Sequence, residues 1–454
     1  MKCLWAPSGA KRPGVRGLLV GLLAAVTLTA ADSSYIIGAD RGTPIAALAA
    51  KYQFTVVKSS DTASETYYAV KTAAPLSASD VSSLNSETGV RDVEVNSTVV
   101  STESDPSSTA GTDLQSLGNL LSTRKTVAFY GNSVLASYVH QPGTRMIELR
   151  GALSGFGTGG GVVAVIDTGV DPDHPALAGA LAPGYDFTRD RPDTVSELLD
   201  LPAPVAIALQ QSTVELLDSK QVVVGLQQST VELLDQSTVE LLDGAGLPAA
   251  FGHGTMVSGL IHLAAPGATI MPLKAFHADG TACLFDIASA IRFAVDNGAT
   301  VISMSFAYTT PSPILEAAIA YAIGHGVVCI ASAGNGGADA EMYPAGYRGV
   351  IGVGSVNSSD KRSPFSNYGR AARTSAPGEA LVTIFPGGNY AAVWGTSFSS
   401  ALVAGGTALM RSVHADFDFS DLRQALDAGV QIDQGMGRAR LDLLRSLNFL
   451  LTEN

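Results

Sequence analysis

Five short apolar runs limit what this chain can fold into. VVAVI begins at Val162, ATIMPL at Ala268, ATVISMSF at Ala299, GVVCIAS at Gly326 and GVIGVGSV at Gly349, and longer helical patterns such as 285–297 and 314–325 alternate with them. A strand that is apolar at nearly every position is buried on both faces. Alternating with helices, such strands predict a mostly parallel sheet covered on each side, a three-layer α/β/α unit. In sheets of this kind the working side chains gather at the carboxyl ends of the strands.

With 454 residues, 46% hydrophobic and 15% charged, the chain has material for a sizeable core. Its net charge of -13 argues against nucleic acid as a partner, and no Lys/Arg cluster suits an anionic membrane surface. Lys2, Lys11, Arg12 and Arg16 precede an uncharged run over 17–31 that ends in small residues. That run falls short of the roughly 20 residues needed to span a bilayer. Residues 1–31 therefore read as a cleaved signal peptide of a secreted protein, extracellular or periplasmic, without a stable membrane anchor. Cys283 and Cys329 remain after cleavage, and Cys329 in its apolar run reads as a small buried thiol rather than half of a disulfide.

Residues 33–100 have a rhythm of their own: strand-like 35–37, helical 44–52, strand-like 54–57 and 67–70, helical 77–85, strand-like 90–95. The order β-α-β-β-α-β describes a small α+β split βαβ domain. Ser, Thr, Asp and Gly then crowd an exposed linker, taken as 101–123, before the large unit of 124–454. Inside that unit, 190–246 holds QSTVELLD at Gln211, Gln228 and Gln236 and a degenerate relative, DTVSELLD, at Asp193. Each perfect copy contains a capping box, Ser212 with Glu215, Ser229 with Glu232 and Ser237 with Glu240, which favours one or two helical turns. The copies are too short and unevenly spaced for a solenoid. A surface insertion without a catalytic group is expected.

Four sites carry chemistry. In GTSFSSALVAG, from Gly395, a tight turn runs into an apolar helix, so Ser397 meets unpaired backbone N–H groups and the positive end of the helix dipole. Asp167 follows a buried strand in VVAVIDTGVDPDHP, His253 stands between glycines in FGHGTMVSGL, and Asn335 ends the buried run VVCIASAGNGG. Each taken alone is an ordinary cap, turn or structural residue. Together they are an inventory for acyl transfer, with Ser397 as nucleophile, His253 as general base and acid, Asp167 orienting the imidazole, and Asn335 with the Ser397 N–H binding an oxyanion.

These motifs, DTG at Asp167, GHGT at Gly252, SAGN at Ser332 and GTS at Gly395, resemble the subtilisin-like serine peptidases in composition and order, over about Gln141 to Asp442. YPAGYRGVIGVGSV at Tyr343 and FSNYG at Phe365 extend the likeness. The resemblance implies a subtilisin-like fold and a secreted serine endopeptidase, autoprocessed from a precursor whose residues 33–100 are an inhibitory propeptide. It implies polypeptide substrates, a monomer, and no cofactor required for the chemistry. Substrate would lie as an extended strand beside Ser303, Met304, Ser305, Phe306 and Ala307 on one edge and Ser332, Ala333 and Gly334 on the other. The family often binds calcium, but no ligand set maps onto this sequence, and Asp171 and Asp173 beside His174 read as a solvated turn. Met256, Ala307 and Phe398 depart from the family pattern, and the last two bear on the shape of the cleft. A second Asp-Thr-Gly, a Gly-x-Ser-x-Gly and a His-Glu-x-x-His are all missing, which argues against aspartic, α/β-hydrolase and metallopeptidase readings. The alternative from another class is an inactive pseudopeptidase that serves as a protein-binding scaffold.

Overall fold

A computed structural model describes residues 33–62, 65–100, 125–192, 194–207, 209, 232–233, 247–415, 417–432 and 435–452. The expected signal peptide, the linker and most of the QSTVELLD copies lie outside the described residues. The chain divides into two compact units, one built on residues up to Thr98 together with Cys283–Phe285 and one on the remainder.

The first unit follows the order read from its sequence: strand Ser34–Asp40, helix Ile45–Tyr52, strands Phe54–Asp61 and Glu65–Thr72, helix Ala78–Asn85 and strand Val90–Val95. Ser34–Asp40 pairs antiparallel with Glu65–Thr72 on one side and Val90–Val95 on the other, and Phe54–Asp61 forms the outer strand. Tyr35, Ile37, Leu48, Phe54, Val70 and Leu84 close a small core between sheet and helices. Ser77 caps the second helix through a capping box with Asp80.

The second unit is organised by a ten-stranded sheet. Its interior order is Thr269–Lys274, Val162–Asp167, Val301–Met304, Val328–Ser332, Val350–Val356 and Thr374–Pro377, every neighbour parallel. Helices His253–Ala264, Leu284–Asp296 and Pro313–Gly324 supply successive crossovers between these strands. Val163, Val165, Val301, Ile330, Ile351 and Val353 join one large apolar core with residues of the His253 helix and of helix Thr396–Val413. Ala164, Ile166, Ile302, Met304, Cys329 and Ala331 alternate with them and are equally buried. Both faces are covered, which makes the unit three layers, α/β/α. Cys329 is a free thiol within this sheet, so it is not paired with Cys283, and burial pushes it up to about 12.

Two expectations for the insertion fail. Glu232 and Leu233, the described residues of the second QSTVELLD copy, form a short strand against Ala391 and Ala392 instead of a helical turn. A hairpin edge, Asn389–Val393, offers backbone partners there, and pairing overrides the local helical preference. Nor is the root of the insertion a surface feature, because Val195, Glu197, Leu198 and Leu201 are buried.

Candidate active site

Parallel register brings the site together. Lys274 lies opposite Asp167, while Met304 lies opposite both Ile166 and Ala331, so Asp167, Ser305 and Ser332 leave the sheet at one level on its carboxyl edge. Asp167 is buried, and its Oδ1 accepts from the Thr168 amide at 2.7 Å and lies 3.1 Å from Thr168 Oγ1. The same oxygen stands 2.8 Å from His253 Nδ1. A carboxylate only accepts, so Nδ1 carries the proton and Nε2 is left as the basic nitrogen.

His253 opens the helix His253–Ala264. The flanking glycines serve close backbone packing. A Cβ on Gly254 would stand 2.0 Å from the Gly169 carbonyl, and Gly252, at φ +86°, presses on Phe385. They let the helix start approach the Asp167 turn closely enough for the imidazole to reach it.

Ser397 is the second residue of helix Thr396–Val413. Its hydroxyl donates to the Ser305 carbonyl at 3.1 Å, and Ser305 Oγ donates back to the Ser397 carbonyl at 3.3 Å. Phe398 is fully buried with its ring 5.7 Å from the His253 ring, so it packs under the imidazole rather than narrowing an open cleft. Asn335 is fixed by Thr396, whose amide and hydroxyl donate to its Oδ1 at 3.0 and 2.9 Å. Those donors define the amide orientation and turn Nδ2 the other way. Asp167, Thr168, His253, Phe276, Ser305 and Phe306 line a small recess beside the pair.

Some expected substrate residues do not offer an edge. Ser303 and Met304 belong to a strand paired on both sides. The Ala333 amide donates to Val353 and its carbonyl accepts from Asn367 Nδ2, while the Gly334 amide donates to Thr396 Oγ1 and its carbonyl accepts from the Asn367 amide. The main-chain groups of Ala333 and Gly334 are committed within the protein, whereas Ser305, Phe306 and Ala307, past the strand end, and Ser332, paired with Val353 on one side, remain the candidate edges. The solvated turn at Asp171 is also corrected: Asp171 and His174 are buried, with Asp171 Oδ2 accepting from the Gly387 amide and His174 Nε2 3.0 Å from the Asn389 carbonyl. Among the described residues, no group of three or more His, Cys, Asp or Glu is placed to hold a metal ion.

Sequence reading missed Glu197. Its carboxyl is fully buried beneath the Asp167 turn and accepts from the Thr168 and Thr255 hydroxyls in short hydrogen bonds and from the Gly254 and Thr255 amides at 3.3 Å. Burial pushes it up to about 7, against the pull of those hydroxyls and of Lys274. Lys274 is buried too, donating to the Thr168 carbonyl at 2.6 Å and pairing with Asp200 at 2.7 Å. The available signal was an acid framed by Val195, Leu198 and Leu201, and the repeated ELLD disguised it as part of a duplicated surface unit.

Comparison with known proteins agrees with this arrangement. The family model of the subtilases (peptidase S8) matches residues 158–432. The chain is 33% identical over 282 residues to the thermophilic serine proteinase of Bacillus sp. strain AK1, covering 62% of this chain and 59% of that protein. It is 31% identical over 259 residues to thermitase of Thermoactinomyces vulgaris, covering 56% of this chain and 75% of that one. In structure it is similar to fervidolysin from Fervidobacterium pennivorans, described as a keratinolytic enzyme related to subtilisin. That match has a TM-score of 0.65 and 20% identity, over 92% of this chain and 61% of fervidolysin. With a family model spanning well over half its length and a sheet of the same fold, the chain belongs to the subtilase family.

Proposed function

We propose that this chain is a serine endopeptidase that hydrolyses peptide bonds through Ser397, His253 and Asp167. What carries the reading is the 2.8 Å contact between Asp167 Oδ1 and His253 Nδ1, with the Ser397 helix packed against the same imidazole. Ser397 Oγ attacks the scissile carbonyl carbon while its proton, held on the Ser305 carbonyl in this structure, passes to His253 Nε2. Asp167 keeps the proton on Nδ1 and stabilises the imidazolium. The Asn335 amide and the Ser397 N–H receive the oxyanion at the positive end of an 18-residue helix. His253 then protonates the leaving amine, and water, activated by the same imidazole, cleaves the acyl-enzyme. Substrate lies extended along Ser305–Ala307.

The remaining assignments belong to the same proposal. Residues 1–31 direct export, the unit of 33–100 is an inhibitory propeptide, and cleavage in 101–123 releases the catalytic domain of 124–454. A separate core in the small unit supports an inhibitor that folds on its own. The naming of a relative as a serine proteinase supports the peptidase reading itself.

Labelling with a fluorophosphonate probe and peptide mapping, on wild type and His253→Ala, tests the reading. An adduct on Ser397 that is lost in His253→Ala supports it. Absence of an adduct on protein whose mass shows the propeptide removed rejects it in favour of a binding scaffold.

A further inference from the structure

Glu197 stands behind the Asp167–His253 pair and is tied to it by one hydroxyl. Thr168 Oγ1 is 3.1 Å from Asp167 Oδ1, forms a short hydrogen bond with Glu197 Oε1, and accepts from the Gly254 amide at 2.9 Å. A hydroxyl has a single proton, so Thr168 donates to Asp167 or to Glu197, never to both. With Glu197 ionised, the Thr168 proton belongs to Glu197. With Glu197 protonated, its own O–H donates to Thr168 Oγ1, and the Thr168 proton turns to Asp167.

We propose that Glu197 is a positioning residue for the hydrolysis, acting through the Thr168 hydroxyl to set how strongly Asp167 holds the His253 imidazolium. The proposal rests on the reading of Asp167, His253 and Ser397 as the working triad. Ionised Glu197 acts in one direction by two routes. It withdraws a hydrogen bond from Asp167, leaving more charge for the imidazolium, and it adds a second negative charge behind the pair. Both make His253 more basic.

The groups around the Glu197 carboxyl come from three elements. Thr255 and Gly254 face it from the His253 helix, Asp167 and Thr168 from the strand end, and Lys274 from the neighbouring strand. Beyond Lys274 stand Asp200 and Arg189, which pair with each other and, through Asp200, with Lys274. Burial is the largest influence on the carboxyl and holds it at about 7. Glu197 therefore changes charge across the pH range in which a His253 base must lose its proton.

The experiment measures the rate of Ser397 phosphonylation by a fluorophosphonate from about pH 5 to about pH 9 on processed wild type and Glu197→Gln, with thermal melts as the fold control. Glutamine keeps the shape and cannot ionise. In Glu197→Gln labelling matches wild type at the acid end, where Glu197 is itself neutral, and is faster, by less than about threefold, only through the middle of the rise, where wild-type Glu197 has ionised and holds the proton on His253. At the alkaline end it is slower, because a weaker base drives attack less well. Crossing profiles are the signature, since a merely structural defect lowers the rate at every pH. A folded Glu197→Gln whose profile superimposes on wild type, or lies below it throughout, overturns the proposal. If Glu197→Gln does not fold, the His253 Nδ1 proton resonance of wild type decides: two titration steps support the coupling and a single step removes it. Failure of wild type itself to label strikes instead at the triad reading.

Discussion

Replacing Asn335 separates oxyanion binding from architecture. Asn335 has two ends of one amide to test: Oδ1 accepts from the Thr396 amide and hydroxyl at 3.0 and 2.9 Å, and Nδ2 is the donor proposed for the oxyanion. Asn335→Ala removes both. Loss of an oxyanion donor costs about 2.7–4 kcal/mol of transition-state stabilisation, roughly a hundred- to a thousandfold in kcat. The stranded Thr396 amide adds about 1–3 kcal/mol of lost stability, because a buried donor without an acceptor keeps its desolvation penalty. Asn335→Asp keeps the acceptor for Thr396 and removes the N–H, so it retains stability near wild type while kcat falls at least as far. Steady-state hydrolysis of fluorescent casein, with kcat and KM resolved, and thermal melting measure the two effects separately. If Asn335→Asp turns over within about threefold of wild type, the oxyanion role is wrong. If Asn335→Ala melts with wild type, the anchoring role is wrong.

Other perturbations test the surroundings of the site. Neither ring nitrogen of buried His262 has a hydrogen-bond partner among the described residues, its ring meets Phe129 edge-on at 5.5 Å, and burial lowers its pKa to about 4. A depressed folded pKa gives stability that is present above the unfolded value of 6.5 and lost as pH falls toward 4. His262→Leu should flatten the denaturation midpoint against pH across that window, by up to about 3 kcal/mol, and leave it unchanged or raised at pH 7. Lys274→Met strands the carbonyls of Thr168 and Phe276 and leaves Asp200 paired with Arg189 alone, and chemical denaturation should show a loss of about 3 kcal/mol. Cys329, buried and held in its thiol form, should stay unmodified by iodoacetamide at pH 8 in the native protein and react only after denaturation, as peptide mapping will show.

By itself the sequence determined the sheet and the four motifs. Continuous apolar runs can only be buried on both faces, and Asp167, His253, Asn335 and Ser397 are each marked by a local turn or helix start, information that lies within a few residues. Tertiary structure alone decided what those residues are held by. Glu197 meets Thr255 across 58 positions and Lys274 meets Thr168 across 106, and nothing within either segment announces the other. The same holds for the glycines beside His253, whose purpose depends on the Gly169 carbonyl arriving from another strand end, and for Glu232, which pairs with a distant hairpin against its local helical preference. Burial and hydrogen bonding between remote segments are set by packing, and packing exists only once the chain has folded.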